Sequence, residues 1–355
     1  MVFTLHKSHP AIHTRRDRNA ARRRAIERGL EFIYQTACDG ENFADYGHDY
    51  LCCFHCIAST SKDIQLRQTA RRMGQERARH WRREHGHLTS RADADEVAYL
   101  VFGADAADRL GVVDKAFKET LRAAAQRFSA EEYFGFNPVH EPPPTDMPDD
   151  CTCGASHQRG RKTCRQCKRR LAVFSPYAVW VDALTRSYIG ERYGIKLGAS
   201  FADVIKWLPS MRPYPPFDED DIDFYWALYA VTHVIYTLND YSLCRLSPRS
   251  LPDEYAFLKL NLQHFIDMKD AESIGELLDT LKSFGLSETH QLIVEGVDFL
   301  LTQQNSDGSW GDPLAKDIYE RYHPTWTAVD GLREYAWPGG LRRISLFSAA
   351  ARECP

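Results

Sequence analysis

Apolar residues recur along much of the chain at the spacing of amphipathic helices. Near the C-terminus, Val297, Leu300 and Leu301 follow this spacing and predict a helix that ends near Gln304. The long apolar segment 224–246 predicts another helix. No segment shows a convincing alternation of apolar and polar residues, which would be typical of a half-buried strand. The pattern therefore predicts a nearly all-α protein.

A polar stretch separates the helix near Gln304 from the next one. Residues 305–308 read NSDG and predict a turn, because these residue types favour turns and Gly308 can adopt a positive φ. Proline is tolerated in the first turn of a helix, so Pro324 predicts a second, mostly apolar helix that His323 opens. At the other end of the chain, residues 1–14 are predicted to be a loose leader.

The same order of features occurs near the N-terminus. Residues 29–33 parallel residues 296–300, and an Asp-Gly turn follows in both places. Allowing for a shorter loop, His48 falls at the position of His323. A degenerate repeat of this kind is typical of repeated helical hairpins. It predicts that the two histidines occupy equivalent positions at the starts of inner helices.

Two motifs resemble the repeat of the α/α-toroid superfamily, which holds squalene-hopene and related class II terpene cyclases and the protein prenyltransferase β subunits. Residues 304–311 match Q-x-x-D-G-S-W-G, and residues 322–326 read YHPTW. The resemblance implies an α/α toroid, with Trp310 as a structural plug between helices. In the prenyltransferases the motif histidine is a zinc ligand, which implies a metal at His323. The family's D-x-C partner is not found, so protein prenylation is not supported.

A Pro-rich, acidic stretch, 134–150, leads into a cluster of cysteines. Two short pairs, Cys151 with Cys153 and Cys164 with Cys167, are flanked by glycines that permit tight turns. Such pairs suit tetrahedral zinc, so we expect a structural zinc site, with a redox or regulatory cluster as the alternative. The surrounding Arg and Lys would offset the thiolate charge. Nucleic-acid binding by these cations is the less economical interpretation.

These features predict a toroid that an insertion interrupts. Its first part would be residues 15–145, the zinc knuckle residues 146–171, and its second part residues 172–355. The composition is that of an ordinary soluble protein. No apolar run predicts a membrane span and no signal pattern is found, so the expected location is the cytoplasm, whose reducing conditions also fit the clustered cysteines.

Charge is unevenly distributed, with an excess of Lys and Arg over Asp and Glu in residues 1–90 and a net charge of −4 overall. The simplest interpretation is solvated outer faces of helices. A patch for nucleic acid or a phosphorylated ligand is the alternative. The sequence does not indicate an oligomeric state.

Three histidines stand out because of their similar settings. His48 and His323 open the repeated inner helices, and His233 lies in the most apolar helix. If inner helices face one cavity, the three would form an open site for Fe, Cu or Zn. Asp240, about two turns after His233, is a candidate fourth ligand or orienting carboxylate, and Asp49 could orient a ligand similarly. The alternative is that each histidine is a hydrogen-bonded core residue.

An acidic run, Asp218 to Asp221, resembles the D-x-D-D motif of class II terpene cyclases. The resemblance implies that Asp220 is the acid that protonates an alkene or epoxide, which requires a carboxyl group kept neutral by burial. The alternative is an acidic helix N-terminus, which the helix dipole favours. The Thr-Ala that usually follows the motif is absent.

Aromatic and sulfur-containing residues are further candidates for a functional site. Tyr229, Tyr236 and Trp326 would line an apolar cavity, although ordinary core packing explains most such residues. Cys52, Cys53 and Cys56 with His55 offer a conceivable nucleophilic pair, but packing of small residues in an inner helix is the simpler interpretation.

The favoured function is a metalloenzyme that acts on a small, partly apolar organic substrate. Its second metal would bind His48, His233 and His323, with oxidation slightly favoured over Lewis-acid or hydrolytic chemistry. One alternative is an isoprenoid cyclase or transferase that uses Asp220 as its acid. The other is a non-enzymatic module that binds nucleic acid or protein, although we do not expect nucleic acid as a partner.

Overall fold

The computed structural model describes residues 15–342 and residue 344, and within this part the chain is mostly helical. The prediction of a helical protein is confirmed. The predicted leader, 1–14, lies outside the described residues. The helices are α1 (Arg15–Cys38), α2 (Gly40–Thr60), α3 (Ile64–His85), α4 (Ala94–Arg109), α5 (Lys115–Ala125), α6 (Ala130–Phe134), α7 (Pro176–Tyr193), α8 (Phe201–Ile205), α9 (Ile222–Leu238), α10 (Pro252–Met268), α11 (Ala271–Ser283), α12 (Gln291–Gln303) and α13 (Tyr319–Leu332).

Other regular structure is short. A 3₁₀ turn spans Leu208–Met211, and two two-residue strands, β1 (Arg245–Leu246) and β2 (Leu341–Arg342), pair in parallel. The strands were not predicted from the sequence, because two residues are too few to show an alternating pattern.

Most helices begin at a side chain that caps the free backbone N–H groups of the first turn. Asp39, for example, accepts hydrogen bonds from the backbone N–H groups of Glu41 and Asn42, both at 3.0 Å. Such caps typically contribute about 1 kcal/mol each. Comparable caps are Asp63, Asp93, Asp114, Ser129, Ser175, Ser200, Asp221 and Asp270.

The C-terminal helical hairpin closes against the start of the chain. Helix α13 packs between α11 and α1. A Cβ atom on Gly29 of α1 would lie 2.8 Å from Val329 and 2.9 Å from Trp310, so only glycine allows this close approach. Trp310, from the predicted turn, is fully buried. The first and last described helices are therefore neighbours in one hydrophobic core.

Helix α13 begins earlier than the sequence predicted. Pro324 was expected in the first turn, but the helix starts at Tyr319 and contains the proline in its interior. The ring removes one backbone N–H, which would have bonded the Glu320 carbonyl. That carbonyl instead faces Gly311, where a Cβ atom would lie 2.3 Å from the Glu320 oxygen. His323 consequently lies inside α13 rather than at its start.

The segment between α6 and α7 contains the four cysteines and no helix. Isolated bridges join Pro148 to Val173 and Thr163 to Arg170. Cys151, Cys164 and Leu171 form a small hydrophobic cluster of their own, distinct from the main core. The division into domains at residues 145 and 171 stays a prediction.

Candidate functional site

A cavity of about 160 Å³ lies among α2, α4, α7, α9, α11 and α13. Many of the residues that the sequence analysis singled out line this cavity, because they lie on the helix faces that border it. The predicted residues that line the cavity are His48, Asp49, Tyr229, His233, Tyr236, His323 and Trp326. The sequence analysis therefore selected a set that the fold brings together, although the role of each residue stays a prediction.

Two of the three histidines have a hydrogen-bond partner at Nδ1. His233 Nδ1 lies 2.8 Å from the carbonyl oxygen of Tyr229, one turn earlier in α9. His323 Nδ1 lies 2.8 Å from a carboxylate oxygen of Glu272. Burial lowers the pKa of His233 to about 4. Burial also lowers the pKa of His323, but Glu272 outweighs it and raises the pKa to about 9.

His48 follows a kink in α2 at Tyr46, where φ is −122°. Its Nε2 lies 3.4 Å from Asp49, and its buried Nδ1 has no hydrogen-bond partner among the described residues. The ligand atoms of the three histidines do not all lie within 4.8 Å of one another. The cavity thus gathers the three rings, but their ligand atoms are not clustered around one point.

Two carboxyl groups that the sequence analysis missed, Glu276 and Asp279, also line the cavity. They are one turn apart on α11, and both are almost fully buried. Burial raises the pKa of Glu276 to about 7, and burial together with the charge of Asp330 raises the pKa of Asp279 to about 6. Glu276 is therefore close to half protonated at neutral pH.

Each of these carboxyl groups accepts a hydrogen bond from a hydroxyl group on α9 or in the turn after it. Thr232 Oγ1 donates to Glu276 Oε2 at 2.8 Å, and Ser242 Oγ donates to Asp279 Oδ1 at 2.9 Å. A neutral donor of this kind orients a carboxyl group without supplying a compensating positive charge. The hint in the sequence was that these two acidic residues lie three apart in the mostly apolar segment 274–281 of α11.

Asp330 and Arg333 form a buried ion pair at the edge of the cavity. Arg333 Nε donates to Asp330 Oδ1 at 2.5 Å, and Arg333 Nη1 donates to Thr60 Oγ1 at 2.8 Å. The indole N–H of Trp326 donates to Asp330 Oδ2 at 2.8 Å. This network fixes the Trp326 ring on the cavity wall.

The structure does not bring Asp240 or Asp220 into the cavity lining. Asp240 was expected on the helix face of His233, but α9 ends at Leu238 and Asp240 has a φ of +54° in the following turn. It accepts a hydrogen bond from Tyr188 at 2.5 Å and lies 3.5 Å from Arg192. Asp220 is exposed before α9, and its neighbour Asp221 caps that helix, as the alternative interpretation of the acidic run predicted.

The four cysteines of the knuckle form a second site, and none of them lines the cavity. Their four Sγ atoms all lie within 4.8 Å of one another. The distances are 3.3 Å from Cys151 to Cys167 and 3.6 Å from Cys153 to Cys164. Tetrahedral zinc–thiolate bonds of about 2.3 Å imply a sulfur–sulfur separation of roughly 3.8 Å. The group fits a metal ion such as zinc.

Backbone hydrogen bonds support the thiolate form at this second site. The N–H groups of Cys167 and Gln166 each lie 3.3 Å from the Cys164 Sγ atom. They lower the pKa of Cys164 to about 5. A thiol that is already ionised binds a metal without the cost of losing its proton.

Over part of its length the chain is similar to ent-copalyl diphosphate synthase from Streptomyces sp. (strain KO-3988). The two sequences are 34% identical over 100 residues, which is 26% of this chain and 18% of that protein. No family model and no solved structure matches the chain. No helix among the described residues has both the length and the apolar character of a membrane span. The similarity is consistent with the α/α-toroid superfamily.

Proposed function

We propose that this protein is an enzyme of the isoprenoid cyclase type, which protonates a carbon–carbon double bond of a small, largely apolar substrate in the central cavity. The observation that carries the proposal is Glu276, a buried carboxyl group on the wall of an aromatic-lined cavity. Its raised pKa keeps a proton available near neutral pH. The partial similarity to ent-copalyl diphosphate synthase supports the same class of substrate.

In this mechanism the proton of Glu276 passes to one alkene carbon, and the positive charge develops on the other. The rings of Tyr229, Tyr236 and Trp326 line the same cavity and supply faces that stabilise a cation. The positive charge of His323 stabilises the carboxylate that remains on Glu276. Ring closure moves the positive charge to another carbon, which loses a proton to water, and Glu276 regains its proton from the solvent.

The acid differs from the one that the sequence motif implied. Asp220 is exposed to solvent, whereas the resemblance implied a buried acid. Glu276 has the burial that this chemistry requires. We therefore assign the acid role to Glu276 rather than to Asp220, which belongs to the acidic segment before α9.

The test is turnover of acyclic isoprenoid alcohols and diphosphates of increasing length, in water and in D₂O. Alkene protonation by the enzyme should place one deuterium in each product molecule. Glu276→Gln should lower turnover at least about 100-fold, as loss of a general acid does. The matched control is Glu219→Gln, an exposed residue of the acidic run. Equal turnover by Glu276→Gln and the wild type, or products without deuterium, would overturn the proposal.

We also propose that the helical hairpins close into an α/α toroid. Contact between α1 and α13, at opposite ends of the described chain, supports a closed arrangement. The cavity bordered by α2, α4, α7, α9, α11 and α13 supports it as well, because an inner ring of helices surrounds the centre of a toroid.

A second candidate is the three-histidine metalloenzyme, with Fe, Cu or Zn at the centre. The specific observation in its favour is that Nδ1 of His233 faces a backbone carbonyl and Nδ1 of His323 faces a carboxylate. Metal-binding histidines usually have such partners, which leave Nε2 free to bind. Elemental analysis beside His323→Ala tests it. A metal beyond the knuckle zinc that is lost in the variant would support this function; one zinc per chain in both proteins would exclude it.

A further inference from the structure

Two cysteines of α2 face the central cavity as a pair. Cys52 and Cys56 are one helical turn apart, and their Sγ atoms are 3.9 Å from each other. Both residues line the cavity, whereas the intervening Cys53 is buried in the hydrophobic core and does not appear among the lining residues. The sequence analysis treated all three as packing residues, which describes Cys53 but not the other two.

The spacing of this pair suits a shared metal ion. Metal–thiolate bonds are about 2.3 Å long, so an ion bound to both sulfurs would lie roughly 1.2 Å off the line between them. The cavity provides open space beside the pair. Neither sulfur would have to move for both to bind the same ion.

The residues around Cys52 and Cys56 limit which metal ion the pair can bind. No group of three or more His, Cys, Asp and Glu ligands in residues 15–342 includes this pair, so the structure offers two ligands rather than the four that zinc prefers. Thiolates select soft ions such as Cu(I). A monovalent ion on two thiolates leaves one negative charge. Arg192 lines the same cavity and is a neighbouring positive charge, although its guanidinium also pairs with Asp105 and Asp240.

We propose that Cys52 and Cys56 bind one soft monovalent metal ion, with Cu(I) as the representative, inside the central cavity. Each thiol loses its proton as its sulfur binds, so two protons are released for each ion. Because binding releases these protons, metal binding weakens as the pH falls. The two thiols take no part in the acid chemistry proposed for Glu276, although all three residues line the same cavity.

The experiment titrates the full-length, reduced protein with Cu(I) against a competing Cu(I) chelator, after the knuckle has been filled with zinc. The wild type should bind one Cu(I) per chain. Cys52→Ala and Cys56→Ala should each weaken binding at least about 100-fold, because loss of a ligand costs more than loss of an outer-shell partner. The matched control is Cys53→Ala, which removes a thiol from the same helix and should leave the affinity unchanged.

Two further variants and one spectroscopic measurement identify which residues bind the ion. Cys164→Ser reports any Cu(I) that displaces zinc from the knuckle, and His323→Ala should retain the cavity ion. X-ray absorption of the wild type should show two sulfur neighbours, a result that does not depend on whether a variant folds. Unchanged affinity in Cys52→Ala, or a shell of nitrogen neighbours lost in His323→Ala, would overturn the assignment to the two cysteines.

Discussion

The indole N–H of Trp310 donates a hydrogen bond to the carbonyl oxygen of Leu300 at 2.9 Å. This bond ties the turn of residues 305–311 to the last full turn of α12. The backbone N–H of Trp310 also donates to Thr325 Oγ1 at 2.9 Å, which joins the same turn to α13. Trp310 thus joins two consecutive helices through its ring and its backbone, and the ring packs beside Gly29 of α1.

Replacing Trp310 with alanine should destabilise the protein strongly. The ring is fully buried, so the change removes its packing and leaves a cavity between α1 and α13. Loss of a buried Trp typically costs about 3–5 kcal/mol. Denaturant unfolding should show this loss, while Leu314→Ala, at a position that is 86% exposed, should change stability little. Equal stability of the two variants would contradict the structural role of Trp310.

Local patterns predicted the helical hairpins and their turns well. Capping residues, the NSDG turn and the apolar spacing before Gln304 act over a few residues, and the structure places the end of α12 at Gln303. Pro324 was misplaced because its position depends on Gly311, which leaves room for the Glu320 carbonyl. That contact joins distant parts of the turn and cannot be read from helical spacing.

The candidate site was predictable only where residue chemistry was unusual. The three histidines and Tyr229 attracted notice by type and setting, and the cavity contains them. Glu276 and Asp279 did not, because acidic residues on a helix are usually solvated. Their burial arises from α9 and α13 packing over α11, which is a property of the whole fold. Asp240 was misjudged because Asn239 ends α9 just before it.

The knuckle should lose its metal without loss of the helical fold. Cys164→Ser removes one of four converging thiols, so we expect about one zinc per chain to be lost. The helical circular dichroism signal should persist, since the knuckle cluster is separate from the main core. Elemental analysis and circular dichroism measure the two effects. Cys244→Ser, which lies outside the knuckle, should retain the zinc; collapse of the helical signal in Cys164→Ser would contradict the separation.

The ion pair of Asp330 and Arg333 should prove strongly coupled. Arg333→Met leaves the carboxylate of Asp330 buried and without its positive partner, which typically costs about 3–5 kcal/mol. The double variant Asp330→Asn with Arg333→Met removes both charges and should be less destabilised than Arg333→Met alone. Unfolding of the wild type, the two single variants and the double variant measures the coupling. Simple additivity of the two single effects would show that the pair is not coupled.

Glu276 should impose a distinctive pH dependence on stability. Its pKa rises from 4.5 to about 7 on folding, so between these values the folded protein binds more protons than the unfolded chain. Stability therefore falls as the pH rises through this window. Above pH 7 the folded protein bears the full free-energy cost of burying the ionised carboxylate of Glu276. Glu276→Gln removes this cost. From pH 5 to pH 8 the variant should gain about 2–3 kcal/mol of stability relative to the wild type.

Denaturant unfolding of both proteins at pH 5 and pH 8 measures this gain, with Glu219→Gln as the control for an exposed carboxyl group. The control should follow the wild type at both pH values, because its carboxyl group meets water in the folded and unfolded states alike. The effect needs no substrate, so it tests the protonation of Glu276 separately from catalysis. If the difference in unfolding free energy between Glu276→Gln and the wild type is the same at pH 5 and pH 8, Glu276 has an ordinary pKa. A carboxyl group with an ordinary pKa is ionised at neutral pH and would not serve as the proposed acid.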